Sequence, residues 1–543
     1  MESESNAEAV SMLDRSRAGW FWPVLVMAVA LSFPYAFGLS TFFSHDDFAI
    51  LWFHKDWPIW QPWVYLNPHS FISYRPLTSY TLQVLFQAFG LAALPFGLAL
   101  LALHVANITL LGRLVDRLFG DRALTLLTVI LFAVNWEYCD AVFWRSTFST
   151  ALSWMLILLS ANALLAYLDR GRRWRYAAAL ALTLAALLSK EAAINAPLIL
   201  TLVLWARRRW TTPEEVGAPE SGGAGRAWAT LREAAPTLAP FYALAAAFTV
   251  FRFTAVRDAY GWILQGYELQ GLSDAAAAGL KALSFWLIPF LPASEPVFGA
   301  RSQAATQWIL ESSHGILPML ALVAAVLLRN RRLLFGVLWA VLAFFPNCFF
   351  PDAHTGRYYY GSIMGISIFF AEWLRILDRS FVQSLRPRLV ATVRVTGSLL
   401  IFTFVFINMF FTTILIYDDA RNCRAIEEVY NYLVTNQGRV PPRTLFLVHC
   451  LDQQNHFHDG FGLREMFKLA LADDSIEAIL PDQDSLTAKA RLALMRGYDT
   501  PVPLFRDGNL FRMGVAVAPG SPGGGEKSVP AAPVSIANDQ TGQ

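Results

Sequence analysis

The sequence predicts a polytopic α-helical membrane protein of about eleven transmembrane helices, followed by a small C-terminal α/β domain on the outer face. Three observations predict it. The 543 residues are 55% hydrophobic and only 15% charged, with a mean hydropathy of +0.41. That composition fits neither one water-soluble core nor a disordered chain. Apolar stretches long enough to cross a bilayer recur up to residue 417. Arg-rich and Arg-poor connections alternate between them. With 33 Gly, 4 Cys and no heptad run, collagen, coiled-coil and disulfide-scaffold classes are excluded. The 43 basic and 41 acidic residues nearly cancel, so the net charge of +2 says little; no nucleic-acid partner is expected.

In chain order, residues 1–17 read as a cytoplasmic tail. Gly19–Ser40 is the first span; Arg15 and Arg17 precede it without a cleavage-site pattern, so it reads as uncleaved. Further spans are expected near 93–113, 122–136, 146–167, 176–189, 192–206, 237–256, 315–328, 332–347, 358–376 and 391–417. Arg clusters at 113–122, 170–175, 207–209, 329–332 and 375–394 mark the inner side. Connections 41–92, 137–145, 189–191, 257–314 and 348–357 fall outside. The N-terminus is therefore inside, and an odd span count leaves the C-terminal domain outside. Asp274–Pro292 is apolar enough to enter the membrane, but as a span it would invert the Arg329–Arg332 loop, so it reads as re-entrant or interfacial. Residues 211–234 form a polar inner linker.

After 417 the pattern changes. Asp418–Gly438 reads as a helix with an Asp cap and a Gly stop. Thr444–Cys450 alternates like a strand, Leu463–Ala472 is an amphipathic helix, and Asp507-Gly508 signals a hairpin within Leu504–Met513. Ala518–Gln543 holds five Gly and four Pro without periodicity and reads as a disordered tail. The domains are thus 1–17, 18–417, 418–517 and 518–543.

Loop 41–92 carries Ser44-His45-Asp46-Asp47-Phe48, then Trp52, His54, Lys55, Trp57, Trp60, Trp63 and Ser73-Tyr74-Arg75-Pro76-Leu77. Ionisable residues at the membrane surface are costly and tend to be functional. Adjacent carboxylates on a helix point different ways, so one can act as a base while the other supports the fold. The alternative is an ordinary loop start with Asp47 capping a helix. The aromatic residues fit an interfacial belt.

Leu188-Ser189-Lys190-Glu191-Ala192 separates two apolar runs on the outer side. Lys occurs only six times in the chain, so Lys190 stands out. It either pairs locally with Glu191 or faces an anionic lipid phosphate. His104 and Asn107 share a helix face and read as an interhelical hydrogen bond. Asn135, Glu137, Asp140 and Arg145 read as a structural polar cluster. Asp352-Ala353-His354-Thr355-Gly356-Arg357-Tyr358-Tyr359-Tyr360 offers interfacial anchoring or an Arg grip on phosphate. Cys423 and Cys450 are the candidates for a disulfide. His456-Phe457-His458-Asp459 reads as solvated surface rather than a metal site. No Cys spacing suits zinc and no phosphate-binding Gly loop is present, which argues against nucleotide-driven chemistry.

The order of these motifs resembles the GT-C glycosyltransferases. An N-terminal span is followed by His45-Asp46-Asp47-Phe48-Ala49-Ile50, Tyr74-Arg75-Pro76-Leu77, His104-Val105-Ala106-Asn107, Leu188-Ser189-Lys190-Glu191 and Gly356-Arg357-Tyr358-Tyr359-Tyr360. The likeness is greatest to the protein O-mannosyltransferase type. The tetratricopeptide-bearing membrane transferases share the Arg-Pro-Leu, Lys-Glu and Arg-Tyr features. It covers residues 18–376. The resemblance implies a GT-C-like fold, a polyprenyl-phosphate-linked sugar donor, catalysis on the outer membrane face, and an acidic base in the first outer loop. By position that base is Asp46, with Asp47 the alternative. Lys190 and Arg357, with Arg75, would hold the donor phosphate; His45, Glu191, His354 and Tyr358 would support. The chain departs from the family in lacking a tetratricopeptide array and a trefoil domain. Asp also stands where the protein O-mannosyltransferases carry Glu as the second acid. These departures bear on the acceptor, whether protein, lipid or glycan.

The expected function is therefore transfer of mannose or a similar hexose to an acceptor hydroxyl with inversion, in a bacterial inner membrane. Neither a cofactor nor a metal ion is expected. A secondary transporter is the alternative, since broken helices with buried polar residues also suit that class. A polysaccharide ligase or polymerase ranks third, because the late outer loop is short.

Overall fold

The computed structural model describes residues 21–44, 46–68, 74–211, 223–256, 271, 273–274, 316–349, 356–380, 382, 385–440, 442, 444–450, 462–479, 500–507 and 510–513. His45, His354, His456–Asp459, the tail and nearly all of Asp274–Pro292 lie outside these residues, as does the Cys450 side chain.

The first apolar stretch is a helix, α1 (Phe21–Leu31), that runs into a 3-10 turn at Phe33–Gly38. Pro34 sits in the first turn of that segment; lacking an N–H, it ends the α-type ladder. Next come α2 (Asp46–Phe53), α3 (Pro76–Phe89), α4 (Ala93–Phe119) and α5 (Arg122–Ala133). Asp121 caps α5 by accepting from the Leu124 N–H at 3.1 Å. A 3-10 turn at Trp136–Tyr138 leads into α6 (Cys139–Phe143), and the axis bends by 48° between α5 and this segment. Helix α7 (Phe148–Arg170) stops at Gly171, whose φ of +65° suits a residue without Cβ. Helices α8 (Arg173–Ser189), α9 (Ala196–Thr211) and α10 (Gly223–Phe251) follow, the last continuing into a π-type turn at Arg252–Val256. Then come α11 (Ile316–Leu327), α12 (Arg331–Phe344), α13 (Tyr360–Ser380) and α14 (Pro387–Thr435).

Six of these stretches are long and apolar enough to cross a membrane, or seven with the bent pair counted as one span. The chain is an integral membrane protein of the helical kind. The other four expected spans fall on α1 and on α8, α9 and α11, which run 17, 16 and 12 residues.

Two boundaries differ from the sequence reading: the polar stretch 211–234 is already helical from Gly223, where α10 begins, and the helix expected to start at Asp418 does not. Asp418 caps no new helix, because α14 runs unbroken from Pro387 to Thr435. Nothing between Tyr417 and Cys423 interrupts the ladder: the segment has neither Gly nor Pro. An Asp is tolerated inside a helix that has already nucleated.

The chain divides into two compact units, Met1–Leu39 with Trp60–Thr81 and Phe96–Tyr417, and Ser40–Ile59 with Leu82–Pro95 and Asp418–Gln543. In the first, α12 and α13 cross at paired glycines. A Cβ on Gly336 would lie 2.8 Å from the Gly365 carbonyl oxygen, and one on Gly365 would lie 2.6 Å from the Gly336 oxygen. Backbone meets backbone there, the contact that small residues permit between membrane helices. Beside it pack Ala321, Ala325, Leu333, Val337 and Phe369. At the Arg-rich end of the same helices, Glu372 accepts from Arg375 at 2.6 Å and from Asn330 at 3.0 Å, while Asp121 also pairs with Arg375. The expected interhelical polar contacts are present: His104 Nδ1 lies 2.9 Å from the Tyr360 hydroxyl, and Asn107 donates to the Ala151 carbonyl at 2.8 Å.

In the second unit a four-stranded sheet runs in the order β2-β1-β3-β4, with β1 (Thr444–Cys450), β2 (Glu477–Ile479), β3 (Thr500–Asp507) and β4 (Leu510–Met513). Strands β2 and β3 flank β1 in parallel, and β4 returns antiparallel to β3 with Asp507 opposite Leu510. Helix α15 (Leu463–Leu471) separates β1 from β2 in sequence. The apolar face of α15 is buried through Leu463, Met466, Phe467 and Ala470, and Phe467 packs on Phe446 of β1 with centroids 4.9 Å apart.

Candidate active site

The first unit gathers a set of cations around the break between α8 and α9. Lys190 leaves the helix with extended backbone, φ −156° and ψ 136°, and the chain then makes a 3-10 turn at Glu191–Asn195. Two contacts fix this break. Thr78, in the first turn of α3, donates to the Ser189 carbonyl at 2.9 Å, satisfying one of the orphan carbonyls of the helix end. Asn195 donates to the Ala343 carbonyl of α12 at 2.9 Å.

Glu191 does not close a local pair with Lys190. Its carboxylate is gripped in fork geometry by Arg75, Nε to Oε2 at 2.8 Å and Nη2 to Oε1 at 2.6 Å. Burial opposes its charged form, yet Arg75, with Arg252 and Lys190, holds the carboxyl well below the usual carboxylate range. With Glu191 so engaged, the Lys190 side chain, 6% exposed, is left to uncharged partners. Among the described residues its ammonium donates to the Thr150 hydroxyl and lies 5.3 Å from the centroid of the Tyr358 ring. Burial first, then the Arg75 and Arg357 cations, push it down to about 7 against the pull of Glu191.

Arg357 completes this side. Its guanidinium lies over the rings of Trp144 and Tyr358, at 4.7 and 5.2 Å from their centroids, and Asp140 is within electrostatic reach. The approach depends on Gly356: a Cβ there would lie 1.7 Å from the Glu137 carbonyl oxygen. Arg252 is a further cation here that no sequence motif marks. It donates to the Tyr74 carbonyl at 3.3 Å and interacts electrostatically with Glu191 and Arg75. The signal for it was an Arg inside an otherwise apolar span. Among the described residues the cations here, Arg75, Lys190, Arg252 and Arg357, are half-buried or buried, and charge held away from water is costly unless compensated. An anion bound among them would relieve that cost.

The acidic pair lies in the second unit, on α2, and the structure separates the two residues by burial. Asp47 is 3% exposed, and its Oδ2 accepts the Ser44 N–H at 3.0 Å, while its own N–H donates to the Ser44 carbonyl at 3.0 Å. That is the reciprocal closure of a helix start. Asp46, in the same first turn, is only half-buried. His54, expected among the loop's polar residues, is buried, with Nδ1 2.9 Å from the Ile50 carbonyl; burial lowers it to about 4 and keeps it neutral.

The structure therefore brings Arg75, Lys190, Glu191, Arg357 and Tyr358 together, and sets Asp46 and Asp47 on one short helix. No family model matches the chain, and no curated protein matches it. Among solved structures, the chain is similar to a crystal structure of ArnT from Cupriavidus metallidurans bound to undecaprenyl phosphate. Identity is 13% over 90% of this chain and 93% of that one, with a TM-score of 0.47. The apo state of the same protein gives 14% identity, the same coverages and a TM-score of 0.46. A likeness at that level leaves the functional reading to the residues themselves.

Proposed function

We infer that this chain is a membrane glycosyltransferase of the GT-C type, moving a hexose such as mannose from a polyprenyl-phosphate carrier to an acceptor hydroxyl. The observation that carries the reading is Lys190: a buried ammonium held by a hydroxyl and a ring, while its neighbouring carboxylate is taken by Arg75. Such a group is suited to an incoming anion. Lys190 and Arg357 would contact the donor phosphate, with Arg75 and Arg252 adding positive potential. Charge grows on the phosphate as the glycosidic bond breaks, and fixed cations stabilise it, an effect of several kcal/mol in favourable cases.

Asp46 would accept the proton of the acceptor hydroxyl as general base. Asp47 is the less suitable of the two because its carboxylate closes the start of α2. One displacement inverts the anomeric centre. The eleven-span topology, cytoplasmic N-terminus, periplasmic α/β domain at 418–517 and bacterial inner-membrane location belong to the same proposal. His45 and His354 remain supporting candidates on sequence grounds.

The test is release of polyprenyl phosphate from a panel of polyprenyl-phosphate hexoses, with wild type beside Asp46→Asn and Asp47→Asn in nanodiscs. Release by wild type and loss in Asp46→Asn is the expected outcome. Turnover retained in both variants removes the base assignment. Solute flux without sugar transfer would replace the transferase with a secondary transporter.

A further inference from the structure

Helix α2 carries the proposed base, yet it has only eight residues, too few to hold a helix alone in water. What touches it therefore sets where Asp46 points. Ser44 and Asp47 close its start. Beyond its end, Gln83 donates to the Lys55 carbonyl at 3.2 Å and Gln87 to the Trp57 carbonyl at 2.7 Å.

Phe48 of α2 packs on Phe42 and Phe43, with ring centroids 5.9 and 6.3 Å apart, and a further contact comes from the C-terminal segment. Helix α15 packs on α2, and the turn after it presents Asp474. That turn is pinned locally: Asp473 accepts the Ser475 N–H at 2.8 Å and the Ser475 hydroxyl at 2.7 Å. The Asp474 carboxylate accepts the Trp52 indole N–H at 3.1 Å and forms an ion pair with Lys55. The Lys468 ammonium of α15 lies 4.9 Å from the centroid of the Trp52 ring, within cation–π range. The Lys55 hydrogen bond, more than the Trp52 one, holds the Asp474 carboxyl below its ordinary value.

We propose that Asp474 is a positioning residue for the transfer reaction: through Trp52 and Lys55 it fixes the orientation of α2 and hence of Asp46. The proposal rests on Asp46 being the base. The helix is about 12 Å long, so a tilt of about 5° at the Trp52 end moves the Asp46 end by about 1 Å. A displacement of that size can cost about a hundredfold in rate. An exposed ion pair, by contrast, contributes little to global stability, and the Asp474 side chain is 58% exposed. A positioning role and a merely structural one therefore separate in experiment.

The experiment uses the full chain in nanodiscs and compares wild type, Asp474→Ala, Asp474→Glu and the charge exchange Lys55→Asp with Asp474→Lys. Turnover is read as undecaprenyl phosphate released from an undecaprenyl-phosphate hexose, with the thermal midpoint recorded for each protein. Asp474→Ala is expected to lower kcat by about ten- to a hundredfold, with donor KM and thermal midpoint unchanged and most of the loss recovered in Asp474→Glu. Wild-type kcat in Asp474→Ala, or a loss that follows the loss of folded protein, overturns the proposal.

Asp46→Asn, run in parallel, separates the two failures. If it keeps turnover, the base assignment fails; if it is inactive while Asp474→Ala is not, only the positioning role fails. Hydrogen exchange supplies a readout independent of any donor. Asp474→Ala is expected to speed exchange of the α2 amides while leaving α15 unchanged, and equal exchange in α2 overturns the proposal.

Discussion

Raising the pH from about 6 to about 9 is expected to strip the donor from the site, through Lys190. The free ammonium titrates near 7, below the ordinary lysine value. Its charged form is therefore present below about 7 and lost above. Roughly nine in ten molecules carry the charge at pH 6, and roughly one in a hundred at pH 9. A phosphodiester keeps its single charge throughout that range, so only the protein titrates. If binding requires the charged form, the donor Kd rises by roughly two orders of magnitude between the two pH values, about 3 kcal/mol. The rise approaches a decade per pH unit above 7. The assay is equilibrium binding of an undecaprenyl-phosphate hexose to protein in zwitterionic nanodiscs, where lipid charge stays constant. Lys190→Arg, charged at every pH used, should bind with a flat profile, and Lys190→Ala should bind weakly and flatly. A wild-type Kd that stays constant across the range, or an equal slope in Lys190→Arg, would refute the assignment of Lys190 to the phosphate.

Other substitutions probe the rest of the arrangement. Asp46→Asn should cut turnover by about 10²- to 10⁴-fold, as for loss of a general base, with donor affinity retained; parallel loss of affinity would argue for a binding role. Asp47→Ala should instead cost stability, about 1–3 kcal/mol for a buried N–H left without its acceptor, read as a lowered thermal midpoint. Glu191→Gln leaves Arg75 without its forked partner and should destabilise by about 3–5 kcal/mol, seen as reduced yield of folded protein; an unchanged yield would mean the fork contributes little. Gly365→Val forces side-chain atoms into the α12 backbone and should prevent folding or shift both helices, while Gly365→Ala is the milder comparison. Turnover should survive a chelator; loss restored by magnesium or manganese would show a metal requirement.

The parts of the fold legible in the sequence are those set by local pattern. Thr444–Cys450 alternates and is β1 over those residues; Asp507 ends β3 at the hairpin; the amphipathic run from Leu463 is α15. Among the site residues, the same locality made Asp47 readable as a cap. What the sequence hid depends on partners distant along the chain. Adjacency made Lys190–Glu191 look like a pair, but Arg75 offers a planar fork from 116 positions away, which a single ammonium cannot match. Arg252 was concealed by the apolar run around it. The Asp418 boundary failed because a residue that favours caps also continues an established helix when no Gly or Pro stops it. The packing of α15 on α2 joins two segments whose sequences carry no sign of each other.

The environment of Lys190 also makes it a chemical handle. With its pKa pushed down toward neutrality by burial, a far larger share of its amine is unprotonated at neutral pH than for an ordinary lysine. The neutral amine is the nucleophilic form, and the chain has only six lysines in all. A lipophilic acylating reagent would thus meet at Lys190 an amine of lowered pKa beside the cations proposed to hold the donor phosphate. If Lys190 holds the donor phosphate as proposed, acylation there would remove the charge and block the donor together, a route to covalent inhibition that needs no mimic of the sugar.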